Sequence, residues 1–263
     1  GLVCLTTSAL IILGGLGFTV ISDFYTTQIH TRFHKEKPLP LNFHSRLVLV
    51  STGVLLLAGT IAFFVCEYGN TMKGMNFFER LNTSFFQSTS ARTAGFASID
   101  IAAEHDFTKI ITIVLMFIGA SPASTGGGVK TTTIVVLTAT VFGAMSGRED
   151  TVIHHRKVDK LTVYRSLAIV VLALLVVLFT TGIILSFNED ISGVDALFEA
   201  VSAFATVGLS ANVTPHLKVI PKIAVALTMF VGRVGPVSLA LAIIMRRGKN
   251  NGAVLPEGKI IVG

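Results

Sequence analysis

The strongest constraint on this chain is an apolar segment that stops too soon. Residues 197–209 read LFEAVSAFATVGL. A helix rises about 1.5 Å per residue, so this piece reaches only about halfway through a ~30 Å hydrocarbon layer. Residues 85–96, FFQSTSARTAGF, repeat the pattern. Thr93 and Gly95 align with Thr206 and Gly208, and Phe85 with Phe198, at one constant offset. The same offset pairs Met116, Phe117 and Gly119 with Met229, Phe230 and Gly232. A register held over roughly thirty residues identifies two copies of one unit. A partial third echo, ILGGLGF at 12–18, is similar to the Gly119 and Gly232 segments, and its own half-helix would precede residue 1.

The rest of the composition suits a membrane. Of 263 residues, 51% are hydrophobic and only 14% charged, with no Trp. The apolar residues are gathered into runs, which predicts an all-α, polytopic membrane protein. The chain opens at Gly1 inside an apolar run, with neither Met nor a signal pattern, and reads as a fragment or the ordered part of something longer. The net charge of +6 does not point to nucleic acid, because Lys and Arg sit mostly in loops between apolar runs. Cys4 and Cys66 lie far apart beside apolar stretches and read as free thiols. The seven His residues lack metal-ligand spacing, and no catalytic triad, carboxylate pair or zinc pattern occurs. A membrane enzyme would need polar groups converging at one depth, so the chain reads as a non-enzyme.

Taken in order, residues 1–24 are expected to be the last helix of a preceding repeat, and 25–46 a basic, proline-broken cytoplasmic loop. Residues 47–147 form one pore repeat: a span over 47–67, a half-helix near 77–90, and a long apolar stretch interrupted at 119–130. Residues 148–165 are again basic and cytoplasmic. Residues 166–247 form the next repeat, with spans over 167–187 and 219–245, and 248–263 a cytoplasmic tail. All three basic segments then fall on one side, a self-consistent topology.

A half-helix ending inside the membrane aims its negative dipole end and free carbonyls at the bilayer centre, where they stabilise a cation. Backbone carbonyls after it can replace an ion's hydration shell. Glycine suits backbone that needs unusual dihedral angles close to a pore axis. The competing reading, glycine as a small residue for close helix packing, fits either Gly95 or Gly208 alone but not the matched pair.

These residues resemble the Trk/Ktr/HKT superfamily of potassium transporters, especially the membrane subunit of bacterial Ktr or Trk systems. The segment 90–96 looks like that family's third filter and 205–210 its fourth, while 14–18 looks like the second transmembrane helix of its second repeat. The resemblance implies four helix–half-helix–helix repeats around a pseudo-fourfold pore, of which this chain holds the end of the second and all of the third and fourth. It assigns the ion filter to Thr93, Ala94, Gly95, Phe96, Thr206, Val207, Gly208 and Leu209. It also implies a homodimer in the cell membrane, in contact with lipid. A cytosolic nucleotide-binding ring would regulate it, so nucleotide would act only through that partner. Basic loops 30–37 and 148–165 would offer docking surfaces.

The segment 119–130 ends Gly128-Val129-Lys130-Thr131, which invites comparison with a phosphate-binding loop. The match fails: Gly and Lys are not adjacent and no strand precedes. A simple helix kink is the bland alternative. The family resemblance implies a gate below the filter, made of Gly119, Ser121, Pro122, Ser124, Thr125, Gly126, Gly127, Gly128 and Lys130, with Arg233 beside it. Arg92, Lys130 and Arg233 fall at or near membrane depth, where a cation costs about 2.5–3.5 kcal/mol and usually faces a bundle interior or a wet cavity. Arg92 is read as bracing the filter from behind. The acids Asp100, Glu104, Asp106, Glu189 and Asp190 lie on the outer side, where they would concentrate cations or simply be solvated. Glu79 and Asp195 sit at half-helix beginnings and need no other role.

The expected function is K⁺ uptake through a carbonyl filter, with no metal site beyond K⁺ itself. The alternative is a Na⁺-permeable or Na⁺-coupled transporter of the same family. A non-conducting scaffold is the third option.

Overall fold

The computed structural model describes residues 1–30, 40–148, 150–154 and 156–235, and these are mostly helical. In chain order come α1 (Leu2–Leu16), α2 (Phe18–Phe24) running into a π turn at Tyr25–His30, α3 (Phe43–Cys66) and α4 (Phe77–Ser90). Then follow α5 (Asp106–Phe117), α6 (Thr131–Met145), α7 (Lys160–Phe187), α8 (Gly193–Phe204) and α9 (Val219–Val234). A short hairpin, β1 (Val152–Ile153) against β2 (Arg156–Lys157), lies in the segment joining α6 to α7.

Helices α3 and α7, with 24 and 28 residues, are long and apolar enough to cross a membrane. They rise roughly 36 and 42 Å and match the spans expected over 47–67 and 167–187, each extended at its start. The expected helix over 219–245 is described only as far as Val234; Arg246, Arg247 and the tail 248–263 lie outside the described residues, as do residues 31–39 of the first basic loop. The continuous helix expected over 1–24 is broken: α1 and the helical stretch Phe18–Gln28 meet at 97°. The break is at Gly17, whose φ of 85° is left-handed and whose added Cβ would lie 2.5 Å from the Pro122 carbonyl oxygen. Sequence alone showed an unbroken apolar run; the wedge comes from a loop more than a hundred residues away.

The two half-helices start with acidic first turns. In α4 the Asn76 N–H donates to Glu79 Oε2 at 2.9 Å. In α8 the Ser192 hydroxyl oxygen accepts from the Asp195 N–H at 3.1 Å. Both place carboxylates at the positive end of the helix dipole. Helix α8 is almost wholly buried, packed among α5, α7 and α9, while α4 packs on α1 and α3. Phe117 stacks on Phe204 at a centroid distance of 6.2 Å, in a core with Phe198, Val201 and Val207. The Ser88 hydroxyl donates to the Leu56 carbonyl at 3.0 Å, joining α4 to α3. Thr180 and Thr228 share a buried hydroxyl bond of 2.6 Å between α7 and α9.

Candidate functional site

Both half-helices end in a tight turn of the same form. Thr93 and Gly95 have φ of 74° and 76°, and Thr206 and Gly208 have φ of 54° and 94°. A threonine in this left-handed region is unusual and persists only where its surroundings enforce it. The two turns meet backbone to backbone. A Cβ added at Gly95 would lie 2.1 Å from the Val207 carbonyl oxygen and 3.3 Å from Gly208 Cα, so no other residue fits without displacing the second turn. Phe96 is 56% exposed, whereas its counterpart Leu209 is 2% exposed and joins the core. An open cavity of about 590 Å³ adjoins Gly208 and is lined by Asp100, Ser210 and Asn212 among others.

The segment between α5 and α6 is a closed loop packed against both turns. Its neck is a bridge between Ile118 and Val129, with the Gly119 N–H donating to the Val129 carbonyl at 2.9 Å. At its tip, a Cβ on Gly126 would lie 2.4 Å from Thr93 Oγ1, and one on Gly127 2.3 Å from Thr206 Oγ1. Consecutive glycines therefore let the loop touch the threonine of each turn. The opposite side of the loop holds the break in the first helix: the Ser121 hydroxyl donates to the Gly15 carbonyl at 2.7 Å and the Leu16 carbonyl at 2.5 Å. The Phe18 N–H donates to the Ala123 carbonyl at 3.0 Å.

All three cations singled out in the sequence converge on this loop's carbonyls. Arg92, buried in the first turn, donates from Nη2 to Gly119 O at 3.4 Å. Lys130 donates from Nζ to Gly126 O at 2.6 Å. Arg233, at the end of α9, donates from Nη1 to Thr125 O. Ser124 closes the tip by donating to Ser121 O at 2.5 Å.

The matching family model, described as TrkH, "Cation transport protein", covers residues 2–253. The chain belongs to the TrkH cation-transport family. It is 38% identical over 266 residues to the Ktr system potassium uptake protein B of Vibrio alginolyticus, a match that takes in 100% of this chain and 56% of that protein. It is 36% identical over 264 residues to the potassium/sodium uptake protein NtpJ of Enterococcus hirae, over 97% of this chain and 56% of that one. The chain thus spans about half the length of the curated relatives it matches. The crystal structure of the potassium transporter TrkH from Vibrio parahaemolyticus matches 91% of this chain and 51% of that one, with a TM-score of 0.71 and 16% identity. That likeness carries the fold: an all-α, polytopic membrane protein of repeated helix and pore-helix units.

In this TrkH-family chain the acidic residues divide by environment. Glu189 and Asp190 are exposed, as ordinary loop charges are. Asp195 does more than cap α8: it accepts a hydrogen bond from Lys109 Nζ at 2.7 Å, an ion pair between α5 and α8 with side chains 7% and 23% exposed. The expectation that it needs no further role is corrected, because a buried cation on a neighbouring helix is invisible from the α8 sequence. Two other carboxylates escaped the sequence reading. Glu67 accepts from Thr108 Oγ1 at 2.6 Å, Thr71 Oγ1 and Asn70 Nδ2 at 2.8 Å, and the His105 N–H at 3.1 Å. Burial pushes its carboxyl upward, but these four donors outweigh that and hold it below the usual range. Glu199 accepts from the hydroxyls of Ser210 and Thr214, fastening the segment after the Gly208 turn to α8. A glutamate inside a short apolar helix was the signal available for it. Among the described residues, no group of three or more His, Cys, Asp or Glu side chains is arranged to hold a metal ion.

Proposed function

We propose that this chain supplies the third and fourth pore repeats of a K⁺ uptake transporter in the plasma membrane. The observation that carries this reading is the contact between the Gly95 and Gly208 turns, each at the carboxyl end of a half-helix and both packed on the glycines of the 118–130 loop. Left-handed φ at the threonine and the glycine, with none at Ala94 or Val207 between them, breaks the alternation that sends successive carbonyls to opposite sides of an extended strand. Carbonyls gathered on one side can replace water around a cation, and the negative ends of α4 and α8 favour it there. In this reading Thr93 to Phe96 and Thr206 to Leu209 are the filter, and residues 119–130 the gate. Lys130 and Arg233 add positive charge on the gate, which opposes a cation until the loop moves. Irregular glycine-rich backbone at membrane depth is tolerable where it lines a wet path.

The family resemblance further supports a homodimer with one pore per protomer, basic loops on the cytoplasmic side and a nucleotide-binding regulatory ring docked there. A Na⁺-permeable or Na⁺-coupled transporter is the second reading, favoured by the similarity to a relative named for potassium and sodium uptake. The test is cation flux through the complete transporter in liposomes, comparing K⁺ with Na⁺, for wild type and Gly208→Ser. Selective K⁺ flux that the substitution degrades supports the filter. Equal permeation of both ions supports the second reading, and no effect of the substitution on either ion removes the filter assignment.

A further inference from the structure

The turns are held by one serine each, in a way the sequence repeat conceals. In the register that pairs Gly95 with Gly208, Ser90 aligns with Ala203 and Ser202 with Thr89, so neither serine has a serine counterpart. Yet both make the same bond. The Ser90 hydroxyl donates to the Phe96 carbonyl at 2.5 Å, and the Ser202 hydroxyl to the Leu209 carbonyl at 2.6 Å. Phe96 and Leu209 are the matched residues that follow the two glycines. Each serine also holds the near side of its turn through its own carbonyl. Ser90 O accepts from the Ala94 and Gly95 N–H groups at 3.0 and 3.2 Å, and Ser202 O accepts from the Val207 N–H at 2.9 Å. Each glycine is therefore bracketed by a single buried residue, gripping the backbone before it and the carbonyl after it. The donors sit six and seven residues from their acceptors, so the second turn carries one more residue inside the bracket.

We propose that Ser90 and Ser202 are positioning residues for ion discrimination, each holding the carbonyl after the filter glycine back against its half-helix and out of the ion path. The proposal rests on the filter reading above. The physical reason is that the Phe96–Ala97 and Leu209–Ser210 peptides lie outside any helix or strand and turn about two soft dihedrals, so the bond to serine fixes which way each carbonyl points. An unbonded Phe96 or Leu209 carbonyl would gain by turning towards a cation or water, since a buried acceptor without a donor is costly. Such a rotation would add a ligand at the wrong place and loosen the spacing that separates a larger from a smaller ion. Neither serine touches the ion; each acts through the carbonyl it holds.

The experiment measures K⁺ and Na⁺ flux ratios of the complete transporter in liposomes for Ser90→Ala, Ser202→Ala and the double variant, beside Gly208→Ser and Thr89→Ala. Thr89 is as buried as the serines, but its hydroxyl donates to Phe85 O within α4, so its loss tests for a general effect of removing a buried hydroxyl. Each serine variant is expected to lower the K⁺/Na⁺ ratio about three- to tenfold, the range set by the loss of one hydrogen bond, and the double variant more. Thr89→Ala leaves the ratio within about twofold on the same scale. Where an alanine variant does not yield folded protein, the serine is replaced by Cys, which keeps the volume and weakens the donor, and a lowered ratio is again expected. Ratios unchanged in the serine variants while Gly208→Ser degrades selectivity would overturn this proposal alone. An equal fall in Thr89→Ala would also overturn it. Unchanged selectivity in Gly208→Ser as well would instead remove the filter reading beneath it.

Discussion

Arg233 reaches from the last turn of α9 to the carbonyl oxygen of Thr125, 108 residues earlier, and so ties a helix end to the tip of the glycine loop. The loop carries Gly, Ser and Thr rather than large apolar groups at its tip, so it has little hydrophobic burial of its own there. Its seat depends on Arg92 and Arg233, which bond its carbonyls from outside, and on Ser121 in the break of the first helix, while Lys130 bonds one of its carbonyls from within. Charge-assisted hydrogen bonds contribute about 1.5–3 kcal/mol each, enough for one of them to shift an open–closed equilibrium by an order of magnitude or more.

Replacing Arg233 with Ala should therefore raise basal K⁺ flux through the complete transporter by about tenfold, the equivalent of ~1.4 kcal/mol. Deleting residues 121–127, which removes the loop tip altogether, should raise it further. Tracer uptake into liposomes in the absence of any activating ligand reads both. Flux unchanged in both variants would show that the loop is not the closing element.

Gly232 packs without a gap against the end of α8, and a Cβ added there would lie 1.7 Å from the Phe204 carbonyl oxygen. The listener on the other side is backbone, which cannot rotate away, so Gly232→Ala must push α9 off α8. Overpacking of this kind costs about 1–3 kcal/mol, and thermal unfolding in detergent should fall by several degrees. Gly53 faces open space within 4 Å, and Gly53→Ala is the control expected to leave the transition in place.

Glu104 is 5% exposed and neither carboxylate oxygen has a hydrogen-bond partner. Burial, reinforced by Glu67 and Asp100 and partly offset by Lys109, pushes its carboxyl up to about 8 from an ordinary 4.5. The folded state therefore binds this proton more tightly than the unfolded state. Its contribution to stability is complete below the ordinary value and is lost as pH rises through about 8. Glu104→Gln, which stays neutral, should leave stability near pH 4 unchanged and raise the melting temperature near pH 9 by at least about 3 °C, the effect of ~1 kcal/mol in a chain of this size. Identical pH profiles for the two proteins would refute it.

The Lys109–Asp195 pair joins the first turns of α5 and α8, one from each repeat. A double-mutant cycle with Lys109→Met and Asp195→Asn should give a coupling energy of about 1–3 kcal/mol, with either single change costing more than the double change. A coupling near zero would mean that the pair is screened by solvent.

Much of the candidate site was legible because it is written locally. The half-helices announce themselves by length, by acids at their starts and by a threonine and glycine at their ends, and the repeat makes each copy evidence for the other. The identity of the special glycines followed from the same register. The basic residues at depth were legible as anomalies, but not as a set. Arg92, Lys130 and Arg233 lie in three different segments, and only folding brings their donors to carbonyls of one loop.

The sequence by itself determined most of the helical stretches, which helices stop short and which two glycines, Gly95 and Gly208, take unusual backbone after them, since these depend on the apolar period, the caps and glycine's missing side chain. Tertiary structure decided the rest. The break at Gly17 arises because Pro122 and Ser121 enter it, the second partner of Asp195 comes from another repeat, and the serines that hold the two turns lie one position out of register. Each of these is a choice of partner for a free donor, acceptor or charge. Such choices are made by what packing brings within about 3 Å, the reach of a hydrogen bond, and not by the residues adjacent in the chain.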